Sequence, residues 1–236
     1  MANSYFQFKQ FTIYHDKCAM KVGTDGVLLG AWANTESCKT ILDIGTGTGL
    51  IALMLAQRSN AFIDAIDINE DACLQAIDNI KASPFAERIR TIHTDFTNYS
   101  AICVSRYDLI VSNPPYFVNS LKCSNIKRNT ARHTDTLSIP ALIRNSRMLL
   151  SPSGRIALIL PFEQLDYLST IAKENHLYIN KRTDIIPIPE ASPKRFLVEL
   201  SESPHSLITE KLVIEEARHQ YTEDYISLTK DFYLKM

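Results

Sequence analysis

Hydrophobic and polar positions along the chain follow two different periods. Phe6 to Tyr14 (FQFKQFTIY) alternates at a spacing of two and predicts a short strand or hairpin arm. Thr40 to Ile44 (TILDI), Ala61 to Ile66 (AFIDAI), Arg88 to His93, Tyr107 to Ser112 (YDLIVS) and Arg155 to Leu160 (RIALIL) are short runs bounded by Gly, Pro, Asn or Asp, and predict buried strands. Helical spacing fills the intervals. Thr24 or Asp25 is expected to cap a short apolar helix within Lys21 to Ala33, and Leu50 to Gln57 reads as a strongly apolar helix. Asn69 caps a helix to about Ala82 that carries Cys73, Ile77 and Ile80 on one face, and Ser138 caps another to Leu150, turned by SPSG. A helix over about Glu163 to His176 follows. Leu177 to Pro187 and Arg195 to Ser201 are further strands, separated by a proline-rich loop that indicates an edge or hairpin. Ile208 to Glu215 reads as one more possible strand. A terminal helix carries Tyr225, Leu228, Phe232 and Leu234, whose aromatics belong to the core. Strands alternating with helices in this way predict the α/β class, with a mostly parallel, doubly wound sheet covered on both faces.

Composition narrows the class of molecule. A chain of 236 residues, 45% hydrophobic and 22% charged, can bury one large core. A single domain over 1–236 is expected, with 1–38 as an N-terminal cap segment and 39–236 as the catalytic core. The formal net charge of -1 argues against a surface built to wrap duplex DNA and leaves room for a compact basic patch. The five cysteines are scattered without a C-x-x-C, so neither a zinc site nor a disulfide framework is expected, and a reducing cytoplasm fits. The first residues lack an apolar signal core, and no apolar run approaches membrane-spanning length.

Candidate chemistry gathers where predicted strands end. After TILDI comes Gly45-Thr46-Gly47-Thr48-Gly49, which lets the backbone turn sharply and approach a ligand beside the N-terminus of the next helix. The pattern is G-x-G-x-G; the dinucleotide fingerprint needs glycine where Leu50 stands, which speaks against a nicotinamide-dependent oxidoreductase. Asp43 precedes the loop. Asp67 ends the second strand, where an acid can accept both ribose hydroxyls of a nucleoside, the alternative being a helix-capping acid. Asp95 and Phe96 follow the third strand. There an acid can bind an adenine amino group and a ring can pack on the base, or the acid simply closes a turn. The helix within Lys21 to Ala33 either packs over the sheet or covers a ligand held by the glycine loop.

Asn113-Pro114-Pro115-Tyr116 stops the YDLIVS strand abruptly. Proline cannot continue a ladder and forces the preceding residue to be extended, so Asn113 is held stiffly past the strand's carboxyl end. That is where open α/β sheets bind ligands. An exocyclic amine conjugated to a ring is planar and a poor nucleophile until both N–H bonds are held and its lone pair is turned outward. The Asn113 side-chain oxygen and the Pro114 carbonyl are two acceptors able to do this, Pro115 has no N–H to compete, and Tyr116 can stack on the planar group. Downstream, Asn119 to Asp135 carries Lys122, Lys127, Arg128 and Arg132 against one acid. Such a run is either a solvated surface or a means of steering a phosphate backbone.

Taken together and in this order, DIGTGTG, Asp67, Asp95-Phe96 and NPPY resemble the class I S-adenosylmethionine-dependent methyltransferases that act on amines. HDKCAMKVGTDGVLLGAWA, LIALMLAQR, ERIRTIHTD, TARHTD and the terminal DFYLKM are similar to bacterial tRNA N6-adenine methyltransferases acting on the adenine beside the anticodon of a valine tRNA. The resemblance implies a Rossmann-like sheet of seven strands with the last antiparallel, and S-adenosylmethionine as cofactor. It further implies tRNA as partner, no metal, and no obligate protein partner. It implies cofactor binding by Asp43, Gly45, Thr46, Gly47, Gly49, Asp67, Asp95 and Phe96, catalysis by Asn113, Pro114, Pro115 and Tyr116, and RNA contact by Lys127, Arg128 and Arg132. Asp67 stands where this family often has Glu, a shorter carboxylate with slightly different reach. The rival within the class is a release-factor glutamine N5-methyltransferase, since a glutamine amide presents the same planar NH2. The forty or so residues before the glycine loop leave little room for the substrate-binding domain such enzymes carry.

Overall fold

The computed structural model describes residues 3–17, 21–115 and 137–235. Tyr116, Lys127, Arg128 and Arg132 lie outside the described residues. The predicted arm is a hairpin of β1 (Tyr5–Gln7) and β2 (Thr12–Tyr14). Then come α1 (Thr24–Trp32), β3 (Thr40–Ile44), α2 (Leu50–Arg58), β4 (Phe62–Asp67), α3 (Glu70–Lys81), β5 (Ile89–His93), α4 (Phe96–Ile102) and β6 (Tyr107–Ser112). After the undescribed stretch follow α5 (Ile139–Leu149), β7 (Leu150–Pro161), α6 (Leu165–Glu174), β8 (Tyr178–Ile186), β9 (Arg195–Ser201) and β10 (Ile208–Val213). The chain closes with the small ribbon β11 (Glu215–Ala217) and β12 (Gln220–Tyr221), and with α7 (Glu223–Thr229).

The central sheet runs β10-β8-β9-β7-β6-β3-β4-β5. Its strands are parallel except β9, which is antiparallel to both β7 and β8. The sheet therefore has eight strands where the family resemblance implies seven, the extra one being the possible strand read near Ile208 to Glu215. The eighth is β10, which pairs parallel to the open edge of β8 and is held there by buried Leu212. Side chains alternate between two cores. Ile41, Leu109 and Ala157 face α1, α2 and the hairpin, while Leu42, Ile110 and Ile156 face α5 and α6. Burial on both faces is why these strands read as near-continuous apolar runs.

Three local expectations change. SPSG does not end α5 in a free turn: β7 begins at Leu150 and carries the segment as an irregularity, its pairing moving from Tyr107–Leu150 to Leu109–Arg155. A Cβ on Gly154 would meet the Tyr107 carbonyl oxygen at 2.6 Å, so only glycine fits there. The cap of α1 is Gly23, with no side-chain hydrogen bond; Asp25 instead accepts from Arg195 Nε at 3.0 Å. The terminal helix ends at Thr229, so Tyr225 and Phe232 are buried while Leu234 is exposed. In α1, Gly26 and Gly30 let the helix lie close on α2, a Cβ at Gly30 falling 2.9 Å from the Cβ of buried Met54.

Candidate functional site

The carboxyl ends of β3, β4 and β6 lie side by side, and their registers set the site. Ile44 pairs with Ser112 on one side and Ile66 on the other. Ser112 Oγ, fully buried, donates to the Ile44 carbonyl at 2.8 Å and locks the end of β6 to that of β3. Asn113, the next residue, is thereby set level with Gly45. Asn113 is partly exposed, Pro114 buried and Pro115 exposed.

The glycine loop folds back on β4. The N–H groups of Gly45 and Thr46 both donate to the Ile66 carbonyl, at 2.9 and 3.0 Å, and Gly49 N–H closes the turn on the Thr46 carbonyl at 2.9 Å. Gly45, Gly47 and Gly49 have φ of 73°, 57° and 83°, left-handed values that cost other residues free energy. A Cβ on Gly45 or Gly47 would have nothing within 4 Å, so this side of the loop opens onto free space. Gly49 differs: its Cβ would touch Ala76 of α3 at 3.4 Å.

Asp43 sits beneath the loop and is fully buried. Thr46 Oγ1 donates to its Oδ2 at 2.7 Å, whereas Oδ1 is buried without a hydrogen bond. Burial pushes its pKa from 3.8 up to about 7, against the easing effect of the Thr46 hydroxyl and the nearby Ala52 N–H. Asp67 occupies the end of β4. Its Oδ2 accepts from Gly47 N–H at 2.8 Å and its Oδ1 from Asn69 N–H at 2.9 Å, so it ties the loop to the start of α3. The cap of α3 is Asn69, accepting from Ala72 N–H at 2.9 Å, as its position predicts. Each oxygen of Asp67 keeps a lone pair for a further donor.

Asp95 and Phe96 lie beside this edge in another arrangement. Asp95 Oδ1 accepts from Asn98 N–H at 2.9 Å and caps α4, which is the turn-closing alternative in its plainest form. Phe96 is buried in the second core with Ile44 and Ile66. The structure thus brings Asp43, Gly45, Thr46, Gly47, Gly49, Asp67 and Asn113 together, with Asp95 and Phe96 on the flank through α4. Among the described residues no group of three His, Cys, Asp or Glu could hold a metal ion.

Two residues that the sequence reading passed over support the site. Asn79 is fully buried on α3; its Nδ2 donates to the carbonyls of Tyr14 and Thr48, both at 2.9 Å, and its Oδ1 accepts from Tyr14 N–H at 3.0 Å. Gln75, one turn earlier and also buried, accepts from Lys17 N–H at 2.8 Å. Together they clamp the end of the hairpin to the glycine loop. A sequence signal existed: two amides at helical spacing on a face otherwise occupied by Ala72, Ala76 and Ile80.

Residues 20–176 match the methyltransferase small domain family. The chain belongs to that family. Full-length relatives of this small-domain methyltransferase carry one shared name, tRNA1(Val) (adenine(37)-N6)-methyltransferase. The protein of Parabacteroides distasonis is 61% identical over 237 residues, covering all of both chains. That of Bacteroides fragilis is 51% identical and that of Trichodesmium erythraeum 46%, each again over all of both chains. Solved structures agree on the fold. A protein described as a predicted O-methyltransferase from Agrobacterium tumefaciens superposes with a TM-score of 0.68 at 19% identity, covering 88% of this chain and 96% of its own. The ribosomal protein L11 methylase of Lactobacillus delbrueckii subsp. bulgaricus gives 0.58 at 17% identity, covering 80% and 83%.

Proposed function

We propose that this methyltransferase transfers a methyl group from S-adenosylmethionine to the exocyclic N6 amine of an adenine in tRNA, the adenine at position 37 of tRNA1(Val). One observation carries the reading: the N-P-P segment stands level with the glycine loop, in a chain whose full-length relatives bear the name of that activity.

The residues present fit the cofactor. The glycine loop opens onto free space where a Cβ would otherwise stand, and beneath it lies a fully buried carboxyl whose charged form a nearby cation would stabilise. Gly45, Thr46, Gly47 and Gly49 would line the methionine portion, and Asp67 would take the ribose hydroxyls on its remaining lone pairs. Asp43 would act through the loop, as a buried negative charge under a positively charged ligand. Asp95 and Phe96 are the candidates for the adenine ring, Asp95 while still capping α4. When bound, S-adenosylmethionine supplies a methyl group on a positively charged sulfur. The work left to the protein is alignment and electrostatics. The Asn113 side-chain oxygen and the Pro114 carbonyl hold the two N–H bonds of the target amine, and they attract it more strongly as positive charge grows on nitrogen. Tyr116 stacks on the base, and Lys127, Arg128 and Arg132 draw in the phosphate backbone. With tRNA as substrate the site of action is the cytoplasm, and no helix among the described residues is long and apolar enough to cross a membrane.

Single-turnover methylation of tRNA by Asn113→Ala tests the reading. The rate should fall by about 10²- to 10³-fold, the usual effect of deleting one preorganised electrostatic partner, with cofactor affinity nearly unchanged. Transfer at the wild-type rate would reduce the segment to a strand-ending turn.

A further inference from the structure

Near the carboxyl end of the sheet, a groove of about 400 Å³ runs between the hairpin and the C-terminal tail, lined by Phe6, Gln7, residues 22–24, Tyr221 and residues 233–235. Two contacts fix its place. Gly26, just past residues 22–24, comes within 3.1 Å of Leu50 when given a Cβ, and Leu50 is the first residue after the glycine loop. Asp25 pairs with Arg195, which lies opposite Pro161 at the carboxyl end of β7. One wall of the groove, residues 22–24, therefore leads directly into the start of the helix packed beside the proposed cofactor loop.

Its lining is chemically one-sided. Phe6 and Tyr221 are 37% and 41% exposed, and Phe6 meets Tyr233 edge-on at a ring-centroid distance of 5.9 Å. Tyr233 is stacked from behind by buried Phe8, at 5.8 Å and 25° between planes, so the ring wall is braced by the core. Gln7 and Thr24 add side-chain hydrogen-bonding groups, Lys235 adds a cation, and no Asp or Glu among the described residues lines the groove. Exposed flat rings, an amide, a hydroxyl and one positive charge suit an unpaired nucleotide: rings for the base, the amide and hydroxyl for its edge, and the lysine for its phosphate. The volume is that of a small-ligand site rather than of an extended peptide track.

We infer that this groove holds an unpaired nucleotide of the substrate RNA flanking the target adenine, so that the RNA loop is gripped at two points near the carboxyl end of the sheet. The inference rests on the tRNA reading above and extends it to residues that touch neither cofactor nor target base. Base stacking on a single ring predicts that Tyr221→Ala and Phe6→Ala each raise the KM for tRNA by about 5- to 150-fold. The cofactor dissociation constant and the rate at saturating tRNA should stay close to wild type, and Tyr221→Phe should retain tight binding. Lys235→Gln, at an exposed terminal position, should lower the slope of log affinity against log salt by about 0.7, the effect of one lost phosphate contact on a single strand. Wild-type tRNA KM in Tyr221→Ala and Phe6→Ala, together with an unchanged salt slope in Lys235→Gln, would overturn the inference while leaving the tRNA activity in place. A wild-type enzyme that does not methylate tRNA would overturn both. If light scattering showed these substitutions to abolish a dimer instead, the groove would belong to a second copy of the chain and the inference would fail.

Discussion

Replacing Asp43 with asparagine should stabilise the protein without cofactor, and by an amount that depends on pH. The carboxyl is fully buried, and its pKa is raised from 3.8 to about 7, chiefly by burial. Below about pH 4 it is neutral in both the folded and the unfolded chain. Between about pH 4 and pH 7 the unfolded chain releases its proton while the folded one keeps it, so folding stability falls as pH rises, by about 1.4 kcal/mol per pH unit. Above pH 7 both states are charged and the loss is complete. Over the whole interval it comes to about 4 kcal/mol, an upper figure because a buried site relaxes around its charge. Asparagine keeps an oxygen for the Thr46 hydroxyl that now donates at 2.7 Å. Urea unfolding of wild type and Asp43→Asn, at intervals from pH 5 to pH 8, isolates the effect, because titrating groups that do not interact with Asp43 cancel in the difference. The variant should gain on wild type steadily up to about pH 7 and then level off, while binding S-adenosylmethionine more weakly for want of the charge beneath the loop. A difference independent of pH, or one that shrank as pH rose, would refute the reasoning.

Two further substitutions test the frame of the site. Asp67→Ala removes the acceptor for Gly47 N–H at 2.8 Å and the proposed ribose contact; calorimetry should show cofactor affinity reduced by roughly 30- to 150-fold, the loss of a charge-assisted pair of hydrogen bonds, and unchanged affinity would dissociate Asp67 from the cofactor. Asn79→Ala deletes three buried or part-buried hydrogen bonds to Tyr14 and Thr48; denaturant unfolding should register a loss of about 2 to 4 kcal/mol, and a loss below about 0.5 kcal/mol would mean that the hairpin is not clamped through this side chain.

The parts of the fold legible in the sequence were those written in local patterns. TILDI, AFIDAI and YDLIVS became β3, β4 and β6 within a residue of their predicted bounds, because strands buried on both faces show as unbroken apolar runs. Asn69 and Ser138 cap helices as read, since a cap is decided within three residues. Harder to read were features set by distant partners. Ile208 to Val213 was readable as a possible strand, but it is exposed over most of its length and holds its place by pairing with β8, and that partner is not written in the local pattern. Asp25 looked like a cap and found Arg195, 170 residues away. In the site, the glycine loop and Asp67 were visible through their spacing after strands. Asp43 was visible as a position and not as a buried charge, and the clamp through Asn79 depends on a hairpin 65 residues upstream.

The placement of β3 in the middle of the sheet also sets an order of assembly. β3, β4 and β5 can pair as soon as they are made, each joined to the next by a helix. The other edge of β3 must wait for β6, whose Ser112 meets Ile44 across 68 residues of chain. At synthesis rates of about 5 to 20 residues per second, that edge stays unpaired on the ribosome for roughly 3 to 14 s. During that time TILDI is an open, apolar strand edge of the kind that recruits other chains. The nascent chain is most exposed to misassembly in that interval, and its solubility on expression depends on how quickly the N-P-P strand arrives to cover it.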